Sequence, residues 1–156
     1  IVCGTPTIGL CGEDVGCTHT IGFYRNDSII TDALITAAGG TIILGQVVSN
    51  VPQGLTFIVD TTNANAVLSL NTPVPPTLTD PSRIAQYRQL YAQLLAAKLN
   101  VLNGATCDAA AAAIAAADAF LASSPPEGTD DAPNFQEPLE LFNSGDAPGC
   151  PMECSD

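Results

Sequence analysis

The sequence has no tryptophan, one histidine, one methionine and only four basic residues. Each shortage removes a class of function. Sixteen acids against those four bases give a formal net charge of −12, which repels nucleic-acid phosphates and anionic lipid headgroups. Neither nucleic acid nor a membrane surface is therefore an expected partner. His19 is the only imidazole. The closest cysteine pair, Cys150 and Cys154, is separated by a spacing unlike a zinc knuckle, so no metal and no cofactor is expected. The lack of tryptophan handicaps a sugar-stacking groove. Long apolar runs are also missing. The longest, Ala109 to Ala117, is closed by Asp108 and Asp118, far short of the roughly 20 residues a spanning helix needs, so no membrane insertion is expected. Charged residues make up 13% of the chain and hydrophobic residues 46%, a composition that folds, with the acidic surplus serving solubility.

Cysteine, by contrast, is plentiful. Cys3, Cys11, Cys17, Cys107, Cys150 and Cys154 are six in 156 residues, an even number that points to an oxidising compartment and three disulfides. Composition leaves the connectivity open. The expected pairing is Cys3 with Cys11, and Cys17 with one of Cys150 and Cys154. The chain opens at Ile1 without an initiator methionine or a basic leader, so it is expected to be a mature secreted protein, extracellular or at the cell surface.

The pattern predicts an α+β, helix-rich fold with three parts. Residues 1–16 are an extended N-terminal arm, broken by glycines and tethered by cysteine. Residues 17–122 are a single α+β domain. Residues 123–156 are a Pro/Gly/acidic tail stapled back by cysteines. Within the domain, Asn26-Asp27-Ser28 caps a helix over 29–38 that Gly39-Gly40 ends. Thr41–Leu44, a type II′ turn at Gly45-Gln46, Val47-Val48, a second turn over Ser49–Gly54 and Leu55–Val59 form a small antiparallel β meander. Asp60 caps a short helix, and the prolines of 71–81 make a stiff connector. Asp80-Pro81 opens the longest helix, whose stripe of Ile84, Tyr87, Tyr91, Leu94, Leu95, Leu99 and Leu102 ends at Asn103-Gly104. An alanine-rich helix over 108–122 packs back on it, and this antiparallel pair is the expected core. Phe135, Leu139, Leu141 and Phe142 form one short amphipathic turn docked on that core.

Two stretches carry a resemblance. Cys17-Thr18-His19-Thr20-Ile21-Gly22-Phe23-Tyr24-Arg25-Asn26 resembles the C-T-x-T-x-G-[YF]-W-K-N-H opening of a widespread group of secreted and cell-surface modules. Residues 89–105, with Ala96-Ala97-Lys98-Leu99-Asn100 at their centre, are similar to that group's long-helix signature, H-Q-L-I-A-A-K-L-N-x-x-N-G-A. Leu141-Phe142-Asn143 with the late Cys150 resembles its L-D-N-Y-N-x-G ending. Tyr24 replaces the group's tryptophan, Arg25 its lysine and Asp27 the histidine after its asparagine. The resemblance implies an extracellular location and a structural or adhesive role, and implies no reaction.

Candidate chemistry is sparse. A hydrolytic role for His19 needs a nucleophile and an orienting acid brought to it, and neither Thr18, Thr20 nor Ser28 stands out. The close carboxylates Glu13/Asp14, Asp130/Asp131 and Glu137/Glu140 read as solvated loop charge, and Glu127 with Asp130 and Asp131 lacks a calcium-loop pattern. No catalytic residue is assigned, and the protein is read as a non-enzyme. Asn26-Asp27-Ser28 is an N-glycosylation acceptor as well as a helix cap. Phe23 and Tyr24 are the candidate glycan contacts of a carbohydrate-binding or adhesion module. The preferred reading is an extracellular structural protein, a self-assembling subunit of a surface filament, sheath or wall. In it Ile1, Val2, Ile8 and Leu10 form an assembly arm that pairs with the next copy.

Overall fold

The structure is a computed structural model that describes residues 16–124 and 129–154. The arm residues Ile1, Val2, Ile8 and Leu10, the Cys3–Cys11 pair, the Glu13/Asp14 pair and Glu127 lie outside the described residues. In chain order the elements are α1 (Ile21–Asn26), α2 (Ser28–Ala37), β1 (Ile42–Leu44), β2 (Val47–Val48), β3 (Val51–Pro52), β4 (Phe57–Val59), α3 (Ala64–Leu68), α4 (Pro81–Leu102), α5 (Asp108–Ser123) and α6 (Ala132–Asn143). The chain is thus helix-rich with a small antiparallel β component, as expected.

Helix α4 is the axis. Asp80 caps it by accepting from the Ser82 N–H at 2.9 Å, and Pro81 occupies the first turn, where its missing N–H costs nothing. The expected stripe is buried at Tyr87, Tyr91, Leu94, Leu95 and Leu99, but so are Leu90, Ala92, Ala96 and Ala97. From Leu90 onward the helix is covered nearly all round, because α1, α2, α3, α5, α6 and β1 all pack against it. Helix α5 returns along α4 after a short turn and buries Ala110, Ala117 and Leu121. Its alanines allow close approach without side-chain entropy cost.

The largest surprise is α6. Where the sequence suggests a single amphipathic turn, twelve residues form a helix that buries Ala132, Leu139, Phe142 and Asn143. Its packing on α4 is the most extensive of any helix pair. The sequence understates it because prolines at 133 and 138 depress helical propensity. Pro133 sits in the first turn, where it is harmless, and tertiary packing carries Pro138 in the interior. An aromatic column fixes the three helices: Phe120 of α5 stacks on Tyr87 of α4 at 5.9 Å and on Phe135 of α6 at 4.3 Å between ring centroids.

The β strands do not form the expected meander. β1 pairs with β4 (Ile42 with Val59, Ile43 with Ile58, Leu44 with Phe57), and β2 pairs with β3, as one interrupted hairpin. The reversal is therefore at Ser49-Asn50, both at positive φ (49° and 65°), a two-residue loop of the type I′ kind that suits strand twist. Gly45 is no turn. It has φ +126°, and a Cβ there would lie 2.1 Å from Thr56 Oγ1, so the glycine lets the two strands pass where the pairing breaks. Register decides the matter: pairing Ile42 with Val59 points both side chains inward, and a one-residue slip would expose them.

The hairpin is anchored to the helices by polar contacts. Lys98 Nζ donates to the Ile43 carbonyl and lies 2.8 Å from Asp118 Oδ2, while Asp118 Oδ1 accepts the Gly45 N–H at 2.9 Å. Tyr91 donates its hydroxyl to the Leu55 carbonyl, and the Leu55 N–H reaches Leu121 O at 2.8 Å. Burial holds the Tyr24 and Tyr91 phenols well above their ordinary value near 10. Both stay protonated when folded and ionise when unfolded, so their contribution is fully present below pH 10 and is lost as pH rises. We expect stability to fall above about pH 10 by about 1.4 kcal/mol per pH unit for each phenol. Denaturant melts between pH 8 and 11 check this, and a flat profile would contradict the burial.

Candidate functional site

The stretch 16–28, densest in rare side chains, sits between the end of α4 and the C-terminal segment. Three backbone bonds place it. Gly16 N–H donates to Asn103 O at 3.0 Å, Thr18 N–H to Met152 O at 3.0 Å, and Cys154 N–H to Thr18 O at 2.8 Å. Thr18 and Glu153 thereby form a parallel β-bridge. Cys17 is bonded to Cys154, with Cα atoms 5.0 Å apart, and Cys107 to Cys150, with Cα atoms 5.2 Å apart. The expected link from Cys17 to the C-terminal pair is present and falls on Cys154. Cys107 also accepts the Ala110 N–H at the start of α5.

Beneath this clasp lies a closed polar network. Asn100, fully buried on α4, accepts the His19 N–H at 2.8 Å and the Tyr24 hydroxyl at 2.5 Å through Oδ1. Its Nδ2 donates to His19 O and to Asn143 Oδ1, both at 2.9 Å. Asn143 of α6 in turn donates to Gln93 O at 3.0 Å and Gln93 Oε1 at 2.8 Å. The Asn100 amide thus uses both of its hydrogens and both oxygen lone pairs. Gln93 and Asn100 are seven apart, so they share one face of α4.

His19 is 3% exposed, with its ring stacked on Phe23 at 3.6 Å and edge-on to Tyr24 at 5.8 Å. Thr18 is buried beside it, and Thr31 Oγ1 donates to the Tyr24 carbonyl at 2.7 Å. The structure therefore corrects one expectation. Tyr24 is buried, with its hydroxyl held by Asn100, and Phe23 is half-buried with one ring face covered by His19. Tyr24 presents no exposed ring, because it takes the core position that joins α1 to α4.

The other candidates lie apart. Asn26 is exposed as the last residue of α1, and the following Asp27 accepts the Ile30 N–H at 3.2 Å to cap α2. Asp130 pairs with Arg83 at 2.9 Å, and the hydrogen bond and charge of that guanidinium hold its carboxyl below the usual range. Glu140 accepts from Gln136 at 2.6 Å. Among the described residues no cluster of three His, Cys, Asp or Glu could hold a metal ion. No described helix is long and apolar enough to cross a membrane.

Sequence reasoning singled out His19 and passed over Asn100, Gln93 and Asn143, which organise the site. The available signal was Gln93 and Asn100, two amides seven apart in the mostly apolar stretch 90–102 of α4. No family model, curated protein or solved structure matches the chain. The resemblance to the secreted modules therefore rests on the residues quoted for it, and Tyr24, Asn100 and Asn143 among them meet in this network.

Proposed function

We propose that the protein is a non-enzymatic, extracellular structural subunit that assembles with copies of itself into a surface filament, sheath or wall. The observation that carries this reading is a hairpin with exposed apolar cross-strand pairs, Val48 with Val51 and Ile43 with Ile58, on a body locked by two disulfides. Paired, exposed β-branched residues are a liability in a monomer and a contact surface in an assembly. The disulfides favour an oxidising, extracytoplasmic setting. The saturated Asn100 network favours a structural part for the motif that holds His19, since its amide has no hydrogen-bonding capacity left for a substrate. A glycan on the exposed Asn26 belongs to the same reading.

Negative-stain microscopy and sedimentation of the material as isolated test the proposal. Regular polymers or large oligomers are expected, with a mass decrease on glycosidase treatment reporting the Asn26 glycan. Monodisperse monomers at high concentration would overturn the assembly.

A further inference from the structure

Self-association has to overcome charge. Two copies, each carrying −12, repel over most of their surfaces. The longest uncharged run in the chain is residues 33–59, between Asp32 and Asp60, and it contains the whole hairpin. At its tip Val48 and Val51 are 56% and 57% exposed, flanking the tight Ser49-Asn50 turn.

A second apolar feature without net charge lies on the same protein. An open apolar groove of about 330 Å³ is lined by Ala38, Thr41, Ile42, Val101, Leu102 and Ile114. Val101 and Ile114 also border an adjoining hollow on the α5 side. Val101 is 36% exposed, on a helix that is mostly buried from Leu90 to Asn100. The one cation lining the groove, Lys98, is already neutralised by Asp118 at 2.8 Å. Groove and tip are thus both apolar and without net charge, on a protein whose charged side chains are mostly acidic.

Resting on the self-assembly reading, we propose that the hairpin tip of one copy, Val47–Pro52, seats in the α4/α5/β1 groove of the next. The patches are different surfaces of one chain, so the contact is heterologous, and repetition propagates a filament unless the rotation closes a ring. Neutrality of both patches makes assembly depend on salt mainly through long-range repulsion, which added salt relieves.

Two single variants at exposed positions test this. Val48→Lys spoils the tip and Val101→Lys spoils the groove, where a cation near the end of α4 suits the helix dipole, and the two like charges repel across the doubly altered contact. Unchanged circular dichroism and melting temperature establish that each folds. Sedimentation velocity is expected to show each variant alone as a monomer under conditions where the wild type assembles. An equimolar mixture is expected to give a 1:1 dimer and nothing larger, since the Val48→Lys chain keeps a groove and the Val101→Lys chain keeps a tip. Variants that assemble like the wild type would overturn the interface while leaving the assembly reading intact. Monomers that fail to dimerise on mixing would overturn the tip-in-groove contact in favour of a symmetric one. A Val101→Lys chain that melts early yet assembles normally would mean that the groove is filled from within the same chain. A wild type that never assembles would overturn both readings.

Discussion

Replacing Asn100 with alanine is expected to destabilise the protein by about 4 kcal/mol, because the His19 backbone, the Tyr24 hydroxyl and the Asn143 amide lose their shared partner in a site closed to water. The cost exceeds that of an ordinary hydrogen bond because the groups left behind are buried and cannot be resolvated. A double-mutant cycle with Asn143→Ala separates the network from its parts. The two changes are expected to fall short of additivity by about 1–3 kcal/mol, since removing either amide already breaks the link between α4 and α6. Chemical denaturation measures both quantities. Additivity within about 0.5 kcal/mol would mean that the two amides act independently.

Loss of the Cys17–Cys154 bridge, in a Cys17→Ser/Cys154→Ser variant, is expected to cost about 5 kcal/mol by chain-entropy reasoning, because the bond closes a loop with a sequence separation of 137. The Cys107–Cys150 bond spans 43 residues and is expected to contribute about 1 kcal/mol less on the same basis. Differential scanning calorimetry of the two double-serine variants checks the order. The first is expected to melt about 10–20 °C below the wild type. A smaller loss from the longer loop than from the shorter would show that residual structure in the unfolded chain, and not loop closure, sets the effect.

Much of the architecture was legible in the sequence. Asp80-Pro81 and Asn103-Gly104 bracket α4 as their capping chemistry requires, and the apolar stripe places its buried face. Cys17 could be joined in principle to the late cysteines, but only folding selects Cys154 over Cys150. The hairpin departs from its local pattern because Gly45 has the signature of a turn residue but sits where the pairing breaks. Local rules favour glycine at a bend, whereas the register of Ile42 against Val59 is a long-range constraint that no short window contains. Helix α6 was underestimated for the opposite reason: its prolines speak locally against a helix that packing on α4 sustains.

The site was legible in part. The motif around His19 marked the right place, and the rarity of its residues suggested chemistry there. The organising atoms belong to Asn100 and Asn143, which are common residue types in separate helices. Their partnership depends on the docking of α6, which the sequence pattern does not announce.

The bridge between Thr18 and Glu153, clamped by Cys17–Cys154, also has a mechanical consequence. Tension applied between residues 17 and 154 enters and leaves the fold at neighbouring points and passes through a sulfur–sulfur bond. The helices between them lie outside the load path, so an oxidised subunit transmits such a pull as a nearly inextensible link while its core stays slack. Reduction would put the whole intervening chain in series with the load, turning a rigid link into one that lengthens by unfolding.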